Sequence, residues 1–278
     1  MSNKKYSLTG SLVSLLKCGA YFGVYYAINL ALSVVWLAVM MIKNPEADQT
    51  ELINSVAIPL TLLCNAIFLL VVAVFYDCMK VRRSFGERIC ASPLNLKAMP
   101  FILCLGVTAM FTVNLVIGLI PFPESWLKML EENSDMITSS SMLMQVVCVG
   151  IVGPVAEEVL FRGLMLTALK KNMPSWIAII ISSVIFGIMH GNPIGIIYAT
   201  AMGILMGWIF HRTGSILASC IFHIVYNTVS LFAGYISETA LGLITVISLG
   251  IFIVCIIALA IIPPAKKNEE SQNHNDEV

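Results

Sequence analysis

Residues 172–211 read NMPSWIAIIISSVIFGIMHGNPIGIIYATAMGILMGWIFH, and no Asp, Glu, Lys or Arg interrupts the chain between Lys171 and Arg212. A transmembrane helix needs about 20 apolar residues. The stretch therefore has room for two short spans, at about 174–190 and 194–210, divided at Gly191-Asn192-Pro193. Working outward, charge-free runs at about 215–236 and 239–262 follow it. Upstream lie 18–42, 52–76 and 98–123, and a run from near Met136 toward Lys170 with charges embedded in it. Eight spans are predicted. Over the 278 residues, 58% are hydrophobic and 12% charged, with a mean hydropathy of +0.90. A soluble domain carries roughly 25% charged residues to cover its surface. The chain is read as an all-α polytopic membrane protein with an intramembrane cavity. Its expected organisation is 1–140 (about three spans and loops), 141–236 (about four spans, holding the embedded charges) and 237–278 (a last span and a polar, disordered tail).

Loop charges alternate. The N-terminus (Lys4, Lys5), the loop with Lys80, Arg82, Arg83 and Arg88, the pair Lys170-Lys171, His211-Arg212 and Lys266-Lys267 are basic. Loops 43–51 and 124–135 are net acidic. By the positive-inside rule both termini are expected in the cytoplasm. The first apolar run is too long for a signal-peptide core and is expected to be retained. Sixteen Lys and Arg balance sixteen Asp and Glu, so there is no basic face to neutralise phosphates and no nucleic-acid partner is expected. The eight cysteines contain no C-x-x-C pair and read as small buried hydrophobes. The partner expected from composition is the lipid bilayer.

Within the fourth span stands Gly153-Pro154-Val155-Ala156-Glu157-Glu158-Val159-Leu160-Phe161-Arg162-Gly163. Each ionisable group there costs roughly 2.5–3.5 kcal/mol on insertion scales if unpaired. Glu158 and Arg162, four residues apart, share a helix face and can pair. Glu157 points about 100° away and has no opposite charge one turn off, which makes it a candidate base. A purely structural Glu–Arg lock and a transporter's proton relay are the competing readings of this segment.

Two histidines stand in apolar spans with a companion one turn away: Phe186 with His190, and His223 with Asn227. Counted at about 1.5 Å per residue from the nearest span end, Glu158, His190 and His223 lie roughly 18, 22 and 13 Å deep, close enough to converge. A carboxylate and two histidines could hold zinc, with Glu158, His190 and His223 as candidate ligands. Without metal, a carboxylate and an imidazole could activate water, and the Asn227 amide and the His223 ring could stabilise an oxyanion. Both routes lead to amide hydrolysis. The H-E-x-x-H, G-x-S-x-G and P-loop motifs are absent.

Glu157-Glu158-x-x-x-Arg162, Phe186-x-x-x-His190 and His223-x-x-x-Asn227, in that order, resemble the CPBP family of type II CAAX prenyl endopeptidases, also called Abi or bacteriocin-processing proteins. Pro154, Phe161-Arg162-Gly163 and Thr213-Gly214-Ser215 match as well, and the resemblance covers about residues 145–230. It implies an eight-span hydrolase, a protease in which Glu157 and His190 activate water and His223 and Asn227 form the oxyanion hole. Glu158 and Arg162 would support the site, with Glu158 as ligand or second carboxylate and Phe186 beside it. The family is named for metalloproteases, so zinc is a candidate cofactor. The implied substrate is a small membrane-associated or lipidated peptide, as in CAAX trimming or bacteriocin and pheromone processing or immunity. The family's abundance in bacteria points to a bacterial plasma membrane. Two alternatives stand beside this: a non-catalytic immunity or scaffolding protein of the same fold, and a proton-coupled transporter.

Overall fold

The computed structural model describes residues 6–43, 49–78 and 93–263. Lys80, Arg82, Arg83, Arg88, Cys90, most of the 43–51 loop and the polar tail lie outside these residues. The described residues are helical without strands. We number the helices α1 (Leu8–Lys43), α2 (Gln49–Cys78), α3 (Met99–Gly118), α4 (Glu124–Thr138), α5 (Met142–Lys170), α6 (Ser175–Ile188), α7 (Pro193–Thr213), α8 (Ile216–Phe232) and α9 (Glu238–Ile261).

Seven described helical segments are long and apolar enough to cross a membrane, against the eight expected. The span expected at 174–190 is α6, a helix of 14 residues. At 1.5 Å per residue it rises about 21 Å, short of the roughly 30 Å hydrocarbon core. Pro174 precedes its first turn, and a corner ends it where Gly191 takes a φ of 74°. The chain still reverses there, because α6 runs antiparallel to α7. Gly203 and Gly207, one turn apart on α7, face Ser183 and Ile179 so closely that a Cβ on either glycine would sit 2.9 Å from its neighbour. Small residues at such spacing let two helices approach without a hydrophobic driving force.

The acidic loop expected at 124–135 is helical. In α4 the half-buried residues Trp126, Leu130, Asn133 and Ile137 recur at helical spacing, while Glu124, Lys128, Glu131, Glu132 and Asp135 are exposed. That is the pattern of a helix lying in an interface and not across a membrane. The fourth span accordingly starts at Met142, after the Ser141 hydroxyl caps it by accepting from the Met144 N–H.

Helix α5 is the centre of the bundle. Residues Val159–Leu166 are all buried, Arg162 among them. Its carboxyl end is tied to α1: the Ser14 hydroxyl donates to the Ala168 carbonyl, and Asn172 Nδ2 donates to the Ser14 hydroxyl. At the same end Lys170 Nζ lies 3.2 Å from His211 Nδ1, and Arg212 donates to the Leu259 and Ala260 carbonyls. The start of α1 and the end of α9 thus lie at one end of the bundle. Cys18, Cys64, Cys148, Cys220 and Cys255 are buried and Cys104 is exposed, and these six are free thiols.

Candidate active site

The backbone of α5 is not a regular α-helix. Two π-helical stretches, Val146–Val152 and Val159–Leu166, flank the short α-helical segment Gly153–Glu158 that carries both glutamates. Pro154 has no N–H to give, and its ring crowds the carbonyl one turn before it. The Gly153 N–H bonds to the Cys148 carbonyl, five residues back. In that register the Val149 carbonyl would receive the N–H of residue 154, which proline lacks. Asn227 of α8 fills the position, its Nδ2 donating to the Val149 carbonyl at 3.0 Å. Such widened turns occur often at functional sites.

Glu158 is fully buried and Arg162 is 1% exposed, with Arg162 Nη1 donating to Glu158 Oε1 at 2.6 Å. The pairing expected from their spacing is present. Arg162 Nη2 donates to the Gly203 carbonyl of α7 at 3.1 Å, and the guanidinium lies 4.8 Å over the Phe186 ring of α6. His223 of α8 lies between the two carboxylates. Its Nδ1 is 3.1 Å from Glu158 Oε1 and its Nε2 is 3.7 Å from Glu157 Oε2. Because Arg162 holds Glu158 as an acceptor, His223 Nδ1 is the donor. Glu157, 21% exposed, is the more open of the two carboxylates.

His190 stands at the corner between α6 and α7. Its Nδ1 is 3.0 Å from the Phe186 carbonyl. A carbonyl only accepts, so Nδ1 carries the proton and Nε2 of the neutral ring is the basic atom. Phe186 joins the parts, its ring 4.9 Å from that of His190, 5.9 Å from that of His223 and 5.1 Å from that of Phe161, all edge-on. Glu157, Glu158, Arg162, Phe186, His190 and His223 thus form one connected group, with Asn227 one turn along α8 from His223.

Three side chains outside the motifs join this group. The Tyr25 hydroxyl of α1 donates to Asn65 Oδ1 of α2 at 3.1 Å in a buried pair. A Cβ on Gly153 would lie 3.8 Å from Asn65 Nδ2, which sets this pair beside the segment that carries the glutamates. Tyr198 of α7 has its ring 6.0 Å from that of His190. Asn65, a carboxamide in the middle of the run 52–76, was a sequence signal that could have led to the first pair.

The residues do not fit a zinc ion held by Glu158, His190 and His223. Glu158 Oε2 is buried without a partner, which a cation would satisfy. Yet Oε1 is shared by a guanidinium and an imidazole N–H, and no three His, Cys, Asp or Glu among the described residues gather as a metal-holding group. The arrangement supplies a semi-exposed carboxylate, an imidazole whose Nδ1 is held by the Phe186 carbonyl, and a second imidazole oriented by a buried charge pair.

Residues 139–229 match the family described as type II CAAX prenyl endopeptidase, Rce1-like. A Bacillus subtilis (strain 168) protein named "Putative membrane peptidase YdiL" is 35% identical over 85 residues, which are 31% of this chain and 35% of that protein. The chain therefore spans about a third of the length of that curated relative. No solved structure matches. The resemblance to type II CAAX prenyl endopeptidases that three motifs indicated is thereby shown, and it resides in residues 139–229, the segment that carries every motif residue of the group.

Proposed function

We propose that the protein is an intramembrane endopeptidase that hydrolyses a peptide bond in a small membrane-associated or lipidated peptide. The observation that carries this reading is the placement of His223 between Glu157 and Glu158, with Arg162 balancing the inner carboxylate. Glu157 and His190 Nε2 accept the proton of the attacking water, as general bases. With His223 Nδ1 donated to Glu158, a proton on Nε2 makes the ring a cationic donor. That N–H and the free amide hydrogen of Asn227 stabilise the tetrahedral oxyanion. The proton collected from water passes to the leaving amine as the C–N bond breaks. Glu158, Arg162 and Phe186 hold these groups in place. The basic residues gathered at one end of the bundle support a cytoplasmic position for that end, and with it for both termini.

The test compares the membrane and secreted peptides of cells carrying wild type or Glu157→Gln at equal expression. Peptide termini that appear only with wild type are expected. Turnover of any substrate so found should fall about 10²–10⁴-fold in Glu157→Gln, the usual worth of a general base, with the protein still folded and inserted. Identical peptides from both, with any immunity phenotype rescued equally, would replace the protease with a non-catalytic scaffold.

A further inference from the structure

The catalytic reading assigns roles to Glu157 and His190 but leaves open what holds His190, which stands beyond the end of α6 on a turn with a left-handed glycine. One hydrogen bond, from Nδ1 to the Phe186 carbonyl, restrains the ring, and rotation about the two side-chain torsions is limited only by what flanks it. Phe186 meets it on one side at an interplanar angle of 70°. Tyr198 meets it as well, at 75° and 6.0 Å between centroids. Tyr198 comes from α7, one and a half turns past the Asn192 side chain that caps that helix by accepting from the Gly195 N–H. The clamp is therefore built across the corner, from both helices that the corner joins.

We infer that Tyr198 is a positioning residue of the water-activating pair, its ring holding the His190 imidazole so that Nε2 faces the space beside Glu157. This rests on the endopeptidase reading for its kinetic consequence but not for its structural one. The aromatic ring and not the hydroxyl does the holding, so phenylalanine serves in its place and an aliphatic side chain of similar bulk does not.

The test uses the full-length protein in detergent or nanodiscs, as wild type, Tyr198→Phe and Tyr198→Leu, with ¹⁵N-histidine labelling and a peptide identified by the comparison of wild type with Glu157→Gln. The His190 signals are assigned by their loss in His190→Gln. Tyr198→Phe is expected to keep kcat within about threefold and to keep the Nδ1-protonated tautomer. Tyr198→Leu is expected to lower kcat about tenfold, the worth of an edge-on aromatic contact, at unchanged KM, and to give a mixture of His190 tautomers. Wild-type kcat and unchanged His190 signals in Tyr198→Leu would overturn the inference, and so would equal losses in both variants. If wild type shows no Glu157-dependent cleavage, the endopeptidase reading fails while the tautomer signal still decides the role of Tyr198.

Discussion

Arg162 joins three helices through one guanidinium: Glu158 on its own helix, the Gly203 carbonyl on α7 and the Phe186 ring on α6. A fully buried carboxylate without its countercharge costs about 3–5 kcal/mol. Arg162→Ala is therefore expected to destabilise the protein by about that amount, and to lower turnover more than its distance from the chemistry suggests, because His223 takes its orientation from Glu158. Arg162→Lys is expected to rescue little, since one ammonium cannot present a planar fork to a carboxylate and a carbonyl at once. Thermal unfolding in detergent, read beside turnover, checks both. A fully active Arg162→Ala protein would show that the pair does not hold the site. The Glu158–Arg162 pair was legible in the sequence because helix geometry alone places residues four apart on one face. The bonds from Arg162 to Gly203 and from Tyr25 to Asn65 were not, because each joins helices whose facing is settled only by tertiary packing.

At the scale of the element, α5 shows how a helix breaker is turned to use. Pro154 stood in the sequence as a breaker in mid-span, and periodicity could not reveal the two widened turns around it or that they expose the Val149 carbonyl. Pro154→Ala restores an N–H at the position where Val149 would otherwise be left open, so that Asn227 competes with the backbone for one acceptor. Removing an oxyanion donor outright costs about 10²–10³ in kcat, and loosening one costs part of that. Pro154→Ala is expected to lower kcat about tenfold while leaving stability unchanged or slightly raised, since alanine suits a helix interior better than proline. Steady-state kinetics beside a melting curve separate the two effects; a variant with wild-type kcat would mean that the Val149 carbonyl does not orient Asn227. The expected bounds of α6, 174–190, fall within two residues of Ser175–Ile188. Apolar runs report what is buried and not where a helix ends, so its end was marked only by Gly191-Asn192-Pro193. That break was legible, and it is where His190 stands.

For the whole molecule, enclosure decides what can react. Arg162, Glu158 and His223 are buried among the four helices α5 to α8, and the basic residues at the ends of α5 and α7 gather at one end of the bundle. Under the endopeptidase proposal, a substrate brings an extended peptide bond to Glu157 within that bundle. To release such a segment, a folded soluble protein would have to open locally at a cost that reaches its global stability of about 5–15 kcal/mol. A lipidated or transmembrane peptide is already delivered to the bilayer and carries no fold to open. The detergent-solubilised protein is therefore expected to cleave lipidated or transmembrane peptides at least about tenfold more efficiently, in kcat/KM, than folded soluble proteins containing the same sequence, since even 1.4 kcal/mol of opening cost is a factor of ten. Unfolding the soluble substrate beforehand should recover part of the difference. A preparation that prefers folded soluble proteins would mean that the substrate does not reach Glu157 through the membrane, and that the enclosure of the site serves some other end than selection.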